Sequence, residues 1–174
     1  MTLVSDAIVA ASVLMTPLAW AQHAHGGHQP GAYAGMQGRT VKALSEQQVA
    51  DLRAGKGMAL ALPAELNGYP GPLHTLELAE PLRLSATQRA RTQELFTQMQ
   101  REAQAVGEEV IAAETTLDTL FREKRATAEA VVAATAHAAQ AQARLRQTHL
   151  RYHLAMMDVL STDQVAAYNR LRGY

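Results

Sequence analysis

The sequence predicts an all-α fold, a long antiparallel helical hairpin with short N-terminal helices. Two segments carry most of that prediction. In the first, Thr92, Leu95, Met99, Ala103, Val106, Val110, Ala113, Leu117 and Leu120 recur at spacings of 3 and 4, a heptad seam of about four repeats. In the second, Val131, Thr135, Ala138, Gln142, Leu145, His149, Tyr152, Met156 and Val159 repeat the pattern. Only residues 123–127 are left to join them, and so short a connection forces the two arms to run antiparallel. The third observation is the pattern Leu-Ser-x-x-Gln, which begins at Leu44, at Leu84 and at Leu160. Each serine hydroxyl can accept from the backbone N–H three residues on, while the glutamine reaches back to the serine's own N–H, a capping box that starts a helix. Leu44 can pack on Val49 and Leu160 on Val165 as hydrophobic staples, whereas the middle copy has Arg89 at that place.

Taken in order, residues 1–21 read as an export leader. Residues 7–20 form an apolar run too short for a bilayer span, and Ala19-Trp20-Ala21 supplies the small-x-small site that signal peptidase cuts. Asp6 is the only charge in this stretch. Residues 22–40 are rich in Gly and His and read as a flexible tail. Residues 41–174 are expected to form one helical domain. In it, a short helix over 46–54 follows the first box and stops at Gly55. Residues 55–72 mix Gly, Pro and Asn67-Gly68 around a short apolar run and read as turns about one helical turn. Pro72 can open another short helix through His74, Leu76 and Leu78 until Pro81 disturbs it. The long arms begin after Ser85 and after Thr127, each as an N-cap, and span roughly 50 to 60 Å at 1.5 Å per residue. Alanines over 130–143 let the arms approach closely at one end. Phe96, Ile111 and Phe121 widen the apolar stripe of the first arm beyond its seam. The surplus face needs cover from the short helices and from a second subunit, so an elongated homodimer is expected.

Composition narrows the function. Without the leader the chain keeps 16 basic and 15 acidic residues, which gives no electrostatic reason to expect a nucleic-acid partner. Cysteine is absent, excluding disulfides and thiolate chemistry. The Glu-x-x-His pairs of di-iron bundles are missing, as are nucleophile motifs and phosphate loops, so no enzyme is expected.

An exported, cysteine-free helical chain with Leu-Ser-x-x-Gln at Leu84, Ser85 and Gln88 and again at Leu160, Ser161 and Gln164, flanking a hairpin, resembles the Spy/CpxP family and its heavy-metal-sensor relatives. The resemblance covers residues 73–174. It implies a periplasmic protein of four helices in a bent hairpin, paired into a cradle-shaped dimer. It implies either an ATP-independent chaperone of envelope stress or a metal-binding protein that reports to a signalling partner.

Three groups of residues are candidates for metal chemistry. His23, His25 and His28 cluster in the tail, and neutral imidazoles suit Cu, Ni or Zn. His149, His153 and Met157 stand at i, i+4 and i+8 of the second arm, where two imidazoles one turn apart form a bidentate pair and a thioether favours copper. Similarly spaced His and Met residues on the last long helix are what the heavy-metal-sensor resemblance implies. His149 also falls on the seam, where a hydrogen-bonded core histidine fits as well, with Met156 and Met157 as filler. His74 with Glu77 is a pair that can complete a site or merely decorate a helix surface. His137 reads as solvated, and Glu108, Glu109 and Glu114 as the wet side of the first arm.

The leading expectation is a chaperone that holds unfolded or partly folded periplasmic proteins on Phe96, Met99, Phe121, Met58 and Leu60, with no cofactor required. The alternative is a periplasmic sensor or buffer of Cu, Zn, Ni or Co that signals to a membrane sensor protein. A dimer that only docks on such a membrane partner is the plainest version.

Overall fold

The computed structural model describes residues 31–174, so the expected leader and His23, His25 and His28 lie outside the described residues. Among the described residues the regular structure is all helical. After a 3-10 turn at Met36–Gly38, six helices follow: α1 Glu46–Arg53, α2 Leu62–Glu65, α3 Pro72–Glu77, α4 Ala86–Arg122, α5 Ala128–Met157 and α6 Thr162–Arg172. None of them is long and apolar enough to cross a membrane.

All three capping boxes form. The hydroxyls of Ser45, Ser85 and Ser161 each accept from the glutamine N–H three residues on, and each glutamine side chain accepts from the serine N–H. Thr127 caps α5 by accepting from Ala130 N. Pro72 opens α3, where its missing N–H and fixed φ cost nothing. The one helical turn expected within residues 55–72 is α2. Met58 and Ala59 take left-handed conformations (φ 41° and 61°) before it, and Pro63 stands in its first turn, where a missing N–H is tolerated.

α4 and α5 run antiparallel. Glu102 pairs with Arg151, Glu109 with Arg144, and Gln142 donates to Glu114 at 2.9 Å, so numbers rise on one helix as they fall on the other. Their contact divides into two apolar clusters. One joins Val41 and Leu52 to Ala103, Val110, Ile111, Ala113, Ala138, Ala141 and Leu145. The other joins Leu95, Met99, Tyr152, Met156 and Leu160. Ile111 is thus covered by α1 and the segment before it. α1 crosses α4 at Gly107, where a Cβ would stand 2.5 Å from the Leu52 carbonyl oxygen. Only glycine admits so close a crossing.

The expected seam of α5 needs a correction. Thr135 and Gln142 are exposed, and Ala134 and Ala141 are buried in their place. A helix of 3.6 residues per turn drifts against a strict heptad, and the small alanines let the backbones meet one position earlier. Glu114 is also corrected, being buried rather than on the wet side, with Gln142 as its partner. His137, Glu108 and Glu109 are exposed, as expected.

Candidate functional site: a histidine-lined cavity

Where α2, α3, α4, α5 and α6 converge, a cavity of about 280 Å³ opens to solvent. His149 and His153 of α5 line it together with Glu65, Met99 and Arg172. Met58, Leu62, Leu73, His74 and Tyr174 also stand in its walls. The two histidines reach it together because four residues advance a helix by slightly more than one turn.

His149 is 2% exposed and its Nε2 has no hydrogen-bond partner among the described residues. Burial, and then the neighbouring His153, hold its pKa below the usual imidazole value, so the ring is neutral near pH 7. A buried polar atom left unpaired costs about 1 to 3 kcal/mol, and natural proteins rarely retain one without a use for it.

His153 is fixed differently. Its Nδ1 lies 2.7 Å from the carbonyl oxygen of Tyr69. A carbonyl only accepts, so Nδ1 carries the proton and Nε2 keeps its lone pair in the neutral ring. The packing around that nitrogen depends on Gly71, where a Cβ would stand 2.8 Å from Cε1 and 3.0 Å from Nε2 of His153.

Glu65, which sequence reasoning missed, is a carboxylate only 6% exposed. Its Oε1 accepts from Tyr168 at 2.5 Å and from Tyr174 at 3.2 Å, and lies 3.3 Å from Nε of Arg172. Its Oε2 is 3.7 Å from Nδ1 of His153. Burial together with this carboxylate raises the Tyr168 pKa, keeping the phenol a donor. A lone carboxylate in the largely apolar run 58–66 was the available signal, but nothing local pointed to partners a hundred residues away.

Among the other expected metal residues, His74 stands on the cavity wall with Nδ1 2.9 Å from Glu77. Met157 is corrected: it is exposed and does not line the cavity. Eight residues turn a helix about 80° beyond two full turns. The thioethers at the cavity are those of Met99 and Met58. Among the described residues no three His, Asp or Glu side chains converge as a metal-binding group.

The expected client contacts also divide. Phe121 (55% exposed) and Met58 offer apolar surface. Met99, 8% exposed, is core, because α4 packs there on Tyr152 and Met156 of α5. Phe96 is half-buried against that same cluster and Leu60 against the one beneath α1. Exposed apolar side chains that the sequence did not single out include Leu66, Val132, Leu154 and Leu171.

Comparison with family models, with curated proteins and with solved structures finds no match to this chain.

Proposed function

We propose that this is an exported metal-binding protein of the heavy-metal-sensing kind within the Spy/CpxP resemblance, taking Cu, Zn, Ni or Co at His149 and His153. The observation that carries this reading is the buried, unpartnered and neutral Nε2 of His149, one helical turn from a second imidazole whose Nδ1 is held by a backbone carbonyl. That backbone hydrogen bond is the support commonly found behind a histidine ligating through Nε2. The donors present fit the chemistry: two neutral imidazoles suit a borderline ion, and the nearby thioethers of Met99 and Met58 favour a softer one. A bound ion would supply charge and cross-linking between α5 and the elements facing it, with no catalytic step implied. In this reading the protein acts in the periplasm as a hairpin-shaped homodimer, and a membrane sensor protein receives the signal.

Co(II) titration tests the proposal. Visible d–d absorption that appears at one equivalent, is displaced by Zn(II), and vanishes in His149→Ala supports it. An unchanged spectrum in His149→Ala contradicts it.

A second reading, an ATP-independent chaperone for unfolded or partly folded periplasmic proteins, is favoured by a specific observation. Leu62, Leu66, Leu73, Leu154 and Leu171 are all exposed, as are Phe121 and Val132. Suppression of aggregation of a denatured client at stoichiometric amounts, lost in a Leu66→Asp/Leu154→Asp variant, would support it. Failure of the wild type to slow aggregation would remove it.

A further inference from the structure

The two oxygens of Glu65 face different parts of the molecule. Oε2 looks toward His153 and the cavity, whereas Oε1 holds Tyr168, Arg172 and Tyr174 of the last helix and the residues that follow it. Arg172 also lines the cavity. It is therefore the cation that neutralises Glu65 next to the two histidines.

We propose that Arg172 is the cavity's internal counter-cation, displaced together with Tyr174 when an ion is captured at His149 and His153. The proposal rests on the metal reading above. Three features of the geometry carry it. The Arg172 side chain is partly exposed, so it can swing to water without burying a charge elsewhere. Its Nε is 3.3 Å from Oε1 yet is not aligned as a hydrogen bond to any acceptor among the described residues, so charge attraction, rather than a directed bond, holds it there. Its other contacts at the mouth are with Tyr174, through an Nη2 donor to the hydroxyl at 3.3 Å and the guanidinium 5.8 Å from the ring centroid. Arg172 and Tyr174 therefore leave as one unit. The earlier part of α6 stays docked through buried Tyr168 and through Gln164, which is tied to Gln88 and to the Leu82 carbonyl.

Two positive groups served by one buried carboxylate repel across a poorly solvated space. Binding at two sites is coupled reciprocally, so an ion that weakens Arg172 docking is itself weakened by Arg172 to the same factor. The last residues of α6 then become the part of the surface that differs between the free and ion-bound states. That is the property a signalling partner needs.

Hydrogen exchange and calorimetry with Zn(II) on the full chain test this. In the wild type, saturating Zn(II) should speed exchange of amides 171–174 about tenfold and leave those of 164–168 unchanged. Arg172→Gln should bind Zn(II) about tenfold more tightly than the wild type, and Arg172→Lys should stay near the wild-type affinity. Zn(II) binding with unchanged or slower exchange at 171–174, or weaker binding by Arg172→Gln, overturns the proposal while leaving the metal reading intact. Absence of Zn(II) binding in the wild type overturns both.

Discussion

Gln88 and Gln164 hydrogen-bond to each other through both amide groups, Gln88 Nε2 to Gln164 Oε1 at 2.8 Å and Gln164 Nε2 to Gln88 Oε1 at 3.1 Å. Each oxygen also closes its own capping box, and each Nε2 also donates across the interface, Gln88 to the Val159 carbonyl and Gln164 to that of Leu82. The repeated motif is thus a clamp between the starts of α4 and α6 as well as a pair of helix caps. A double-mutant cycle with Gln88→Ala and Gln164→Ala should give a coupling energy of about 0.5 to 3 kcal/mol in urea unfolding. Strict additivity would show that the two boxes act only as separate caps.

Gly107 decides how closely α1 crosses α4. Alanine in a helix interior is ordinarily worth about 1 kcal/mol over glycine. Here its Cβ would meet the Leu52 carbonyl oxygen at 2.5 Å, a backbone atom that moves only if α1 moves. Crowding of this kind costs about 1 to 3 kcal/mol, so Gly107→Ala should lower the melting temperature. A higher melting temperature would mean that α1 does not pack there.

His149 gives the protein an acid-side weakness. Burial depresses its folded-state pKa below the ordinary 6.5. Its stabilising contribution is present above that unfolded value and is lost as pH falls through the depressed folded value. In chelator, stability should therefore drop as pH falls below about 6.5. His149→Leu should flatten this dependence. By removing the unpaired polar atom it should also stabilise the metal-free protein by about 1 to 3 kcal/mol. A less stable metal-free His149→Leu variant at pH 7 would contradict the description of His149 as a buried group without a partner.

Gly71 tests the placement of His153. A methyl group there would push on the His153 ring at 2.8 Å. Gly71→Ala should lower Zn(II) affinity at least tenfold, about 1.4 kcal/mol, without changing helix content by circular dichroism. Unchanged affinity would place the ion away from Nε2 of His153.

The helices were legible because their signals are local: Ser45, Ser85, Ser161 and Thr127 all cap where sequence places them. The seam was legible in its period and partly wrong in its phase, as Thr135 and Gln142 show, because the phase depends on how closely alanines let two backbones approach. Of the site, His149 and His153 could be found from i, i+4 spacing. Met157 followed from the same rule carried one turn too far. Glu65, Tyr168, Arg172 and Tyr174 could not be found that way, since their pairing joins α2 to α6 across the whole length of both long helices.

The most direct test of the central claim is calorimetric titration of Zn(II) and Cu(II) into a chain whose His23, His25 and His28 are replaced by asparagine. That change removes the tail as a competing ligand. One micromolar or tighter site is expected, weakened about a hundredfold or more, roughly 2.7 kcal/mol, in both His149→Ala and His153→Ala and unaffected by Met157→Ala. Absence of micromolar binding, or binding that survives both histidine substitutions, would contradict it.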